Sequence, residues 1–251
     1  MKIYFDNIFG YQTKGDLLFS VVSAEFELSE WNYAFENGWA PVSIWYNKSK
    51  DIVWYQSRQT RIDTTNHSHS RKTKLLLERT PVTWTISNNH TYDDEIYNLY
   101  VKYCKFKNFT DVATFDEIGI IFNYPVEQSF IKFYNKDKLI AITKVSTWAD
   151  SMFSEFFWWD YEEPNLSVGK LSSEVEVNIA KDSNTRYLYT GLGYHRHGLY
   201  KSRKKGFEWW TGREWSKDLE LYTYLCSKDD EVKTIDELYQ HQTNYFERVE
   251  E

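Results

Sequence analysis

The sequence predicts an α/β chain built on a mixed, mostly antiparallel sheet with helices on both faces. Three observations carry that expectation. SFIKFY (129–134), a polar NKDK and LIAITKVSTW (139–148) have the pattern of a hairpin: two runs rich in β-branched and aromatic residues about a short turn. LSSEVEVNIAKD, within 170–182, reads as a helix, and RYLYTGL (186–192) follows as a short apolar strand. A helix set between strands gives a layered sheet of mixed direction.

The remaining elements follow from local signals. Ser29 reads as an N-cap, with Trp31, Ala34 and Phe35 on one helical face and Gly38 as the stop. Residues 42–46 and 52–62 read as extended, with a polar segment to about 73, and PVTWTI (81–86) alternates like a strand. Thr91 and Asp94 resemble a capping box before a helix of 92–106, where Ile96, Tyr100, Tyr103 and Cys104 share a face. MFSEFFWWD (152–160) is a third strand, and NLSVGK (165–170) leads into the central helix. A helix of 197–205, a last strand LELYTYLC (219–226) and a final helix capped by Thr234 and Glu237 complete the chain. The expected division is a β-rich N-terminal lobe, 1–90, packed on an α/β domain, 91–251.

At 251 residues the chain suits one large domain or two intimate lobes. No apolar run approaches the roughly 18 residues that cross a bilayer. The N-terminal MKIYFDNIFGYQTKGD lacks the apolar stretch of a signal peptide. Cys104 and Cys226 are too few for a metal quartet or a disulfide framework. A reduced, cytoplasmic protein with no membrane partner is expected. The net charge of −7 argues against nucleic-acid binding over the whole surface. Residues 195–217 nevertheless hold seven basic and two acidic residues, and residues 56–79 hold six and two, so the rest of the chain carries −16. Two basic islands on an acidic body either grip a polyanion locally or are solvated faces. The 19% aromatic content serves either a Tyr/Trp-rich core or walls that stack on bases.

LYTGLGYHRHGLYKSRKKGFEWWTGREW is similar to a run in arginyl-tRNA–protein transferases and bacterial aspartate/glutamate leucyltransferases. The matching positions are Tyr189, Gly193, Tyr194, Tyr200, Lys201, Phe207, Glu208 and Trp215. Upstream, LSVGK resembles that family's Ser-Leu-Gly at Ser167 and Gly169. WYQSRQTRID resembles its aromatic–Ser–x–x–Arg strand at Ser57, Arg58 and Arg61, and FENGWAP its Gly-aromatic turn at Gly38 and Trp39. IYNLYVKYCKFKNF resembles its helix with a Tyr pair. The family's N-terminal cysteine cluster is absent, and Ser146 or Thr147 stands where an acidic residue is expected. The resemblance, like the order of elements from residue 91, implies a GNAT-like acyltransferase fold.

The activity so implied is transfer of an amino acid from aminoacyl-tRNA to an amine on a protein, peptide or small molecule. In that fold two central strands splay, here 152–160 and 186–192, and leave backbone groups for a carrier or an amide. Aminolysis of an activated ester needs positioning, a neutral amine and donors for the oxyanion. The candidate donors are strand-end N–H groups and the Tyr194 hydroxyl, and the candidate bases are Glu155 and Asp160. The helix start at Ser167, Gly169 and Lys170 offers N–H groups to a phosphate. Tyr200, Lys201 and Arg203 would contact terminal phosphates or an acidic acceptor. Trp39, Arg58 and Arg61 are the candidate acceptor contacts, and on one strand the two arginines would point to opposite faces. The helix start has a single glycine and lacks the pyrophosphate loop of acetyl-CoA enzymes. An acyl-CoA-dependent N-acetyltransferase is therefore the alternative, and a non-catalytic tRNA- or polyanion-binding protein a further one. No cofactor is expected beyond aminoacyl-tRNA as co-substrate, with acetyl-CoA in the alternative. No metal is expected: His195/His197 and His67/His69 each form H-x-H with no further ligand nearby in sequence.

Overall fold

The computed structural model describes residues 2–4, 10–11, 17–18, 22–41, 53–88, 92–109, 112–122, 126–232 and 237. The chain gathers into two compact units, Met1–Val42 with Asp51–Thr60 and Leu192–Glu251, and Ser43–Lys50 with Arg61–Gly191. This grouping differs from a single cut at residue 90, because the segment from Leu192 onward gathers with the N-terminal residues.

The first unit opens with strands β1 (Lys2–Tyr4), β2 (Gly10–Tyr11), β3 (Leu17–Leu18) and β4 (Val22–Glu25). Helix α1 (Trp31–Glu36), β5 (Trp39–Pro41) and β6 (Val53–Gln56) follow. β1-β4-β6-β5 form an antiparallel sheet. Ser29 is not the cap. A 3-10 turn, Leu28–Glu30, comes first, and Glu27 and Glu30 close a reciprocal capping box across it. Trp54, fully buried, is the hub of the core, with Phe35 at 5.0 Å and Phe26 at 5.6 Å, both edge-on. Gly38 does stop the helix, at φ +72°. A side chain there would also overlap the Trp210 ring.

β7 (Gln59–Asp63) carries the chain into the second unit. There follow α2 (Arg71–Arg79), β8 (Val82–Ser87), α3 (Asp94–Lys107), α4 (Phe115–Phe122), β9 (Glu127–Asn135), β10 (Lys138–Trp148) and β11 (Ser151–Trp159). α5 (Val168–Asp182) and β12 (Tyr187–Leu192) complete it. The strand order is β7-β12-β11-β10-β9-β8. β8 to β11 are joined antiparallel, and β11 and β12 are parallel. α3 and α4 cover one face through Ile96, Leu99, Ile118 and Phe122 on Phe130, Ile142 and Trp158. α5 covers the other through Val168, Leu171 and Val175 on Ile131, Phe133 and Ile140. Each face buries its own apolar set, so the sheet is the middle of three layers, with helices on both sides as the sequence predicts.

Several elements differ from expectation. RKTKLLLER is helix α2, started by Ser70 accepting from Thr73 N at 3.2 Å. Asp93 caps α3 through Ile96 N at 3.0 Å, whereas Thr91 lies outside the described residues. α4 had no expected counterpart. The helix of 197–205 is two short pieces, α6 (His195–Gly198) and a 3-10 turn, Lys201–Arg203. After the hairpin of β13 (Phe207–Trp210) and β14 (Trp215–Ser216), LELYTYLC is helix α7 (Leu219–Asp229) and not a strand. Asp218 caps it at Leu221 N, 2.9 Å, and the buried Tyr222, Leu225, Cys226 and Asp229 recur every three or four residues. The strand expected at 42–46 and the helix after Thr234 lie outside the described residues, Glu237 excepted. Among the described residues no helix is long and apolar enough to cross a membrane.

Gly38→Ala is expected to destabilise the protein by about 2–4 kcal/mol, because it adds backbone strain to a clash with a packed indole. The shift of the chemical denaturation midpoint at constant slope measures it.

Candidate functional site

In the second unit the parallel ladder is short. Ser151, Met152 and Phe153 pair with Tyr187, Leu188 and Tyr189, and the register ends there. β11 continues to Trp159 along β10. In that second ladder Lys144 faces Phe156 while Val145 faces Ser154, so Glu155 is an extra residue in β11. A bulge of this kind bends its strand and re-aims a side chain. It falls where β11 leaves β12.

The Glu155 carboxylate is buried in a polar pair of contacts. Lys144 Nζ is 2.9 Å from one oxygen, and the Ser146 hydroxyl donates to the other. Lys144 is 0% exposed. Burial pulls its amine below the usual lysine range, against the opposing pull of Glu155. Of the two positions, Ser146 and Thr147, where the family resemblance implied an acidic residue, Ser146 is thus joined to an acid from the neighbouring strand.

Asp160, the other candidate base, follows directly after the end of the same strand. Lys102 lies 2.8 Å from one oxygen and Lys138 2.8 Å from the other. Burial tends to raise its pKa, but the two lysines and the Glu162 N–H prevail and hold it below the usual carboxylate range. Both carboxylates have both oxygens engaged, Asp160 by two lysines and Glu155 by Lys144 and Ser146; Glu155 differs in being the bulged residue next to the end of the β11–β12 ladder.

α5 begins beside β11. A 3-10 turn, Pro164–Leu166, leads to Ser167 at φ +52°, whose side chain makes no cap and whose carbonyl accepts from Lys170 and Leu171 N, each 3.0 Å. The first turn of α5 thus lacks a side-chain cap. A Cβ on Gly169 would meet the Phe157 ring at an ordinary 3.5 Å, so steric need alone does not explain glycine there. Lys170 is exposed. Arg61, 6% exposed, lies 3.7 Å over the Tyr187 ring and donates to the Tyr189 hydroxyl at 3.3 Å. Burial, partly offset by Arg61, pushes the Tyr189 phenol up to about 12.

In the first unit the strand-end motif closes on itself. Gly193 N donates to the Arg58 carbonyl at 2.8 Å, and a Cβ on Gly193 would overlap Thr60 and the Tyr222 hydroxyl. That close approach requires glycine. The Tyr194 hydroxyl is 2.7 Å from Ser57 Oγ and accepts from Arg58 N at 3.3 Å. Burial raises its pKa, with Arg58 opposing. Ser57 and Arg58 resemble one family motif and Gly193 and Tyr194 another, and the structure sets the two motifs against each other.

Sequence reasoning missed Asp229, which takes Arg58 Nη1 at 2.6 Å and Nη2 at 3.3 Å and also accepts from His195 N at 3.0 Å. Burial opposes the charge on Arg58, but Asp229 outweighs it and raises the guanidinium pKa. Arg58 sits in a bend between β6 and β7, so the two-face argument for Arg58 and Arg61 does not apply. Arg58 spends its planar fork on Asp229. Trp39 is 5% exposed and packs edge-on against Phe26 at 5.2 Å. Lys201 Nζ donates to the Leu192 carbonyl at 2.7 Å, while Tyr200 and Arg203 are exposed. The rings of His195 and His197 stack at 5.6 Å, with His195 Nδ1 3.0 Å from Asp230. Among the described residues, a triad with metal-ligating geometry is His67, His69 and Glu174.

Residues 95–208 match the family described as "Arginine-tRNA-protein transferase, C terminus". The chain is distantly similar to "Aspartate/glutamate leucyltransferase" of Shewanella putrefaciens, 26% identical over 152 residues covering 58% of this chain and 63% of that protein. The protein of that name from Campylobacter jejuni is 25% identical over 178 residues, 64% of this chain and 70% of its own. The chain thus spans less than two thirds of the length of the Shewanella relative. Among solved structures, L-PGS from Bacillus licheniformis aligns with 66% of this chain and 49% of its own at TM-score 0.39 and 9% identity. A conserved protein of unknown function from Bacteroides thetaiotaomicron aligns with 66% and 56% at TM-score 0.44 and 13% identity.

Asp160→Asn is expected to lower stability at neutral pH by about 2 kcal/mol, less than for a fully buried pair because Lys138 is half-exposed. The folded-state pKa is depressed, so this stabilisation is present above the unfolded value of about 3.9 and is lost as pH falls through the folded one. Urea midpoints of the two proteins should therefore converge as the pH is lowered through and below the ordinary aspartate range.

Proposed function

We propose, from the match of residues 95–208 to the arginine-tRNA-protein transferase C-terminal family, that this chain moves an amino acid from aminoacyl-tRNA to an amine acceptor. The single observation that carries this reading is the β11–β12 ladder, which stops after three pairs with the bulged Glu155 at the break. A diverging parallel pair offers backbone N–H and C=O groups to an extended substrate, as a closed ladder would not. The description of the matched family, which names arginine-tRNA, supports the choice of donor, and the relatives' name makes N-terminal Asp and Glu the first acceptors to try.

The nitrogen lone pair attacks the ester carbonyl of the aminoacyl group, forming the C–N bond. The C–O bond to the terminal ribose then breaks. The nitrogen proton passes to Glu155, and from there to the departing ribose oxygen. Lys144 and Ser146 hold the Glu155 carboxylate in one orientation within the bulge. Strand-end N–H groups serve the oxyanion. The first turn of α5, at Ser167, Gly169 and Lys170, is the proposed seat of a terminal phosphate. The basic segment with Tyr200, Lys201 and Arg203 is the proposed RNA contact. Tyr194 and Arg58 are assigned to positioning, since the hydroxyl is bound by Ser57 and the guanidinium by Asp229. Asp160 and Trp39 are assigned to the scaffold. An uncapped helix start would also suit a pyrophosphate, which keeps acyl-CoA as the competing donor.

The test supplies a pool of tRNAs charged with labelled amino acids, together with peptides bearing N-terminal Asp or Glu. Label is expected on peptide, with amine-dependent release of deacylated tRNA. Glu155→Gln should lower kcat roughly 100-fold with little change in KM for tRNA, while Lys201→Ala should chiefly raise that KM. Circular dichroism checks that both variants fold. Absence of any transferred label, with acetyl-CoA raising the thermal midpoint, would replace this reading by the acyl-CoA one.

A further inference from the structure

The H-x-H pair at His67 and His69 belongs to a loop that the second unit holds firmly. Asp63, at the end of β7, accepts from Thr65 N at 3.0 Å, Thr65 Oγ1 at 2.6 Å and Asn66 Nδ2 at 2.9 Å. Thr64 donates its N–H and its hydroxyl to the carbonyls of Arg186 and Thr185, both at 2.8 Å. Lys181 Nζ donates to the His67 carbonyl at 2.9 Å, and Ser70 then caps α2. The two imidazoles are thus set on a braced segment. α5 brings Glu174 and Asn178 to it, four residues apart and so on one helical face.

Three ligand atoms converge. His67 Nε2 is 3.4 Å from His69 Nδ1, His69 Nδ1 is 2.9 Å from Glu174 Oε2, and His67 Nε2 is 3.4 Å from the same oxygen. A tetrahedral metal with nitrogen and oxygen ligands at about 2.0–2.1 Å separates those ligands by about 3.3 Å. The triangle is close to one face of that tetrahedron. The second independent observation is His69 Nε2, 2.8 Å from Asn178 Oδ1. A carbonyl oxygen there accepts the Nε2 proton, which turns the Nδ1 lone pair toward the other two atoms, as an outer partner of a metal-bound histidine does. His67 and Glu174 are buried, whereas His69 is partly exposed.

We propose that His67 Nε2, His69 Nδ1 and Glu174 Oε2 bind a divalent metal of the zinc class, with Asn178 orienting His69 and water at the fourth vertex. Two imidazoles with one carboxylate suit zinc or cobalt, whereas magnesium and calcium take oxygen ligands. The metal would tie the β7–α2 connection to α5. The sites assigned to transfer use none of these residues, so the proposal stands apart from that reading.

Cobalt(II) is the probe, added to the full chain after chelation and dialysis. One equivalent should give the visible ligand-field bands of four-coordinate cobalt, and zinc should displace it and raise the thermal midpoint. Magnesium should do neither. His69→Ala should abolish the bands, and Glu174→Gln, which keeps size and hydrogen bonding, should weaken binding strongly. Asn178→Ala, which removes no ligand and only the partner of His69 Nε2, should weaken it roughly 10–100-fold. His197→Ala, in the other H-x-H, should bind as the parent does. Cobalt bands that persist unchanged in Glu174→Gln and Asn178→Ala overturn the assignment. So does a folded parent that binds neither metal, which would make the triangle a hydrogen-bonded brace only.

Discussion

One buried ion pair governs the centre of the second unit. Lys144 lies fully inside, opposite a bulge whose extra residue is the acid that neutralises it. An ammonium in such a place costs several kcal/mol if unpaired. A regular β11 would alternate Glu155 with its neighbours, and the insertion frees it from that alternation, placing it with Lys144 and Ser146. The same insertion bends the strand, and the ladder to β12 goes no further than Phe153. Charge compensation and strand divergence are therefore two consequences of one extra residue, and changing either disturbs the other.

The first unit solves a related problem at its own strand end. Arg58 is nearly buried, and its guanidinium needs a carboxylate whose own lone pairs are also satisfied. Asp229 supplies it from the last turn of α7 while accepting the His195 N–H. Tyr194 lies under the guanidinium, 4.5 Å from ring centre to charge, with its hydroxyl fixed by Ser57. Gly193 lets the chain pass close enough for all of this. The conformation of the Gly-Tyr pair is set by partners from two separate chain segments, residues 57–60 and α7.

Sequence patterning reads well where one short-range rule decides. The hairpin 129–148 is legible because alternation and the NKDK turn agree, and α5 because a long amphipathic run has few alternatives. LELYTYLC fails because eight apolar-rich residues fit a strand or a helix, and the deciding cap, Asp218, lies just outside the run. RKTKLLLER fails because its buried face is narrow, with Thr73 its one buried residue. The candidate site divides the same way. Ser57, Tyr194 and Glu155 were nameable from local motifs, but Lys144 with Glu155, Arg58 with Asp229 and His67 with Glu174 are tertiary pairings that no spacing encodes. The third ligand to His67 and His69 comes from a helix more than a hundred residues downstream, which is why an H-x-H in a polar loop looked inert.

Charge distribution bears on the same question at longer range. A body of −16 outside the two islands repels nucleic acid at any distance the solvent does not screen, and at physiological salt that distance is about 8 Å. Within it, a segment of +5 acts only on phosphates brought against it. In the proposed reading such a surface would hold an RNA by few contacts, with local binding and faster release than from a protein basic all over. A transferase that must let go of each deacylated carrier is served by that arrangement. A protein whose task was to retain RNA would gain from turning the acidic body basic, and this chain has not done so.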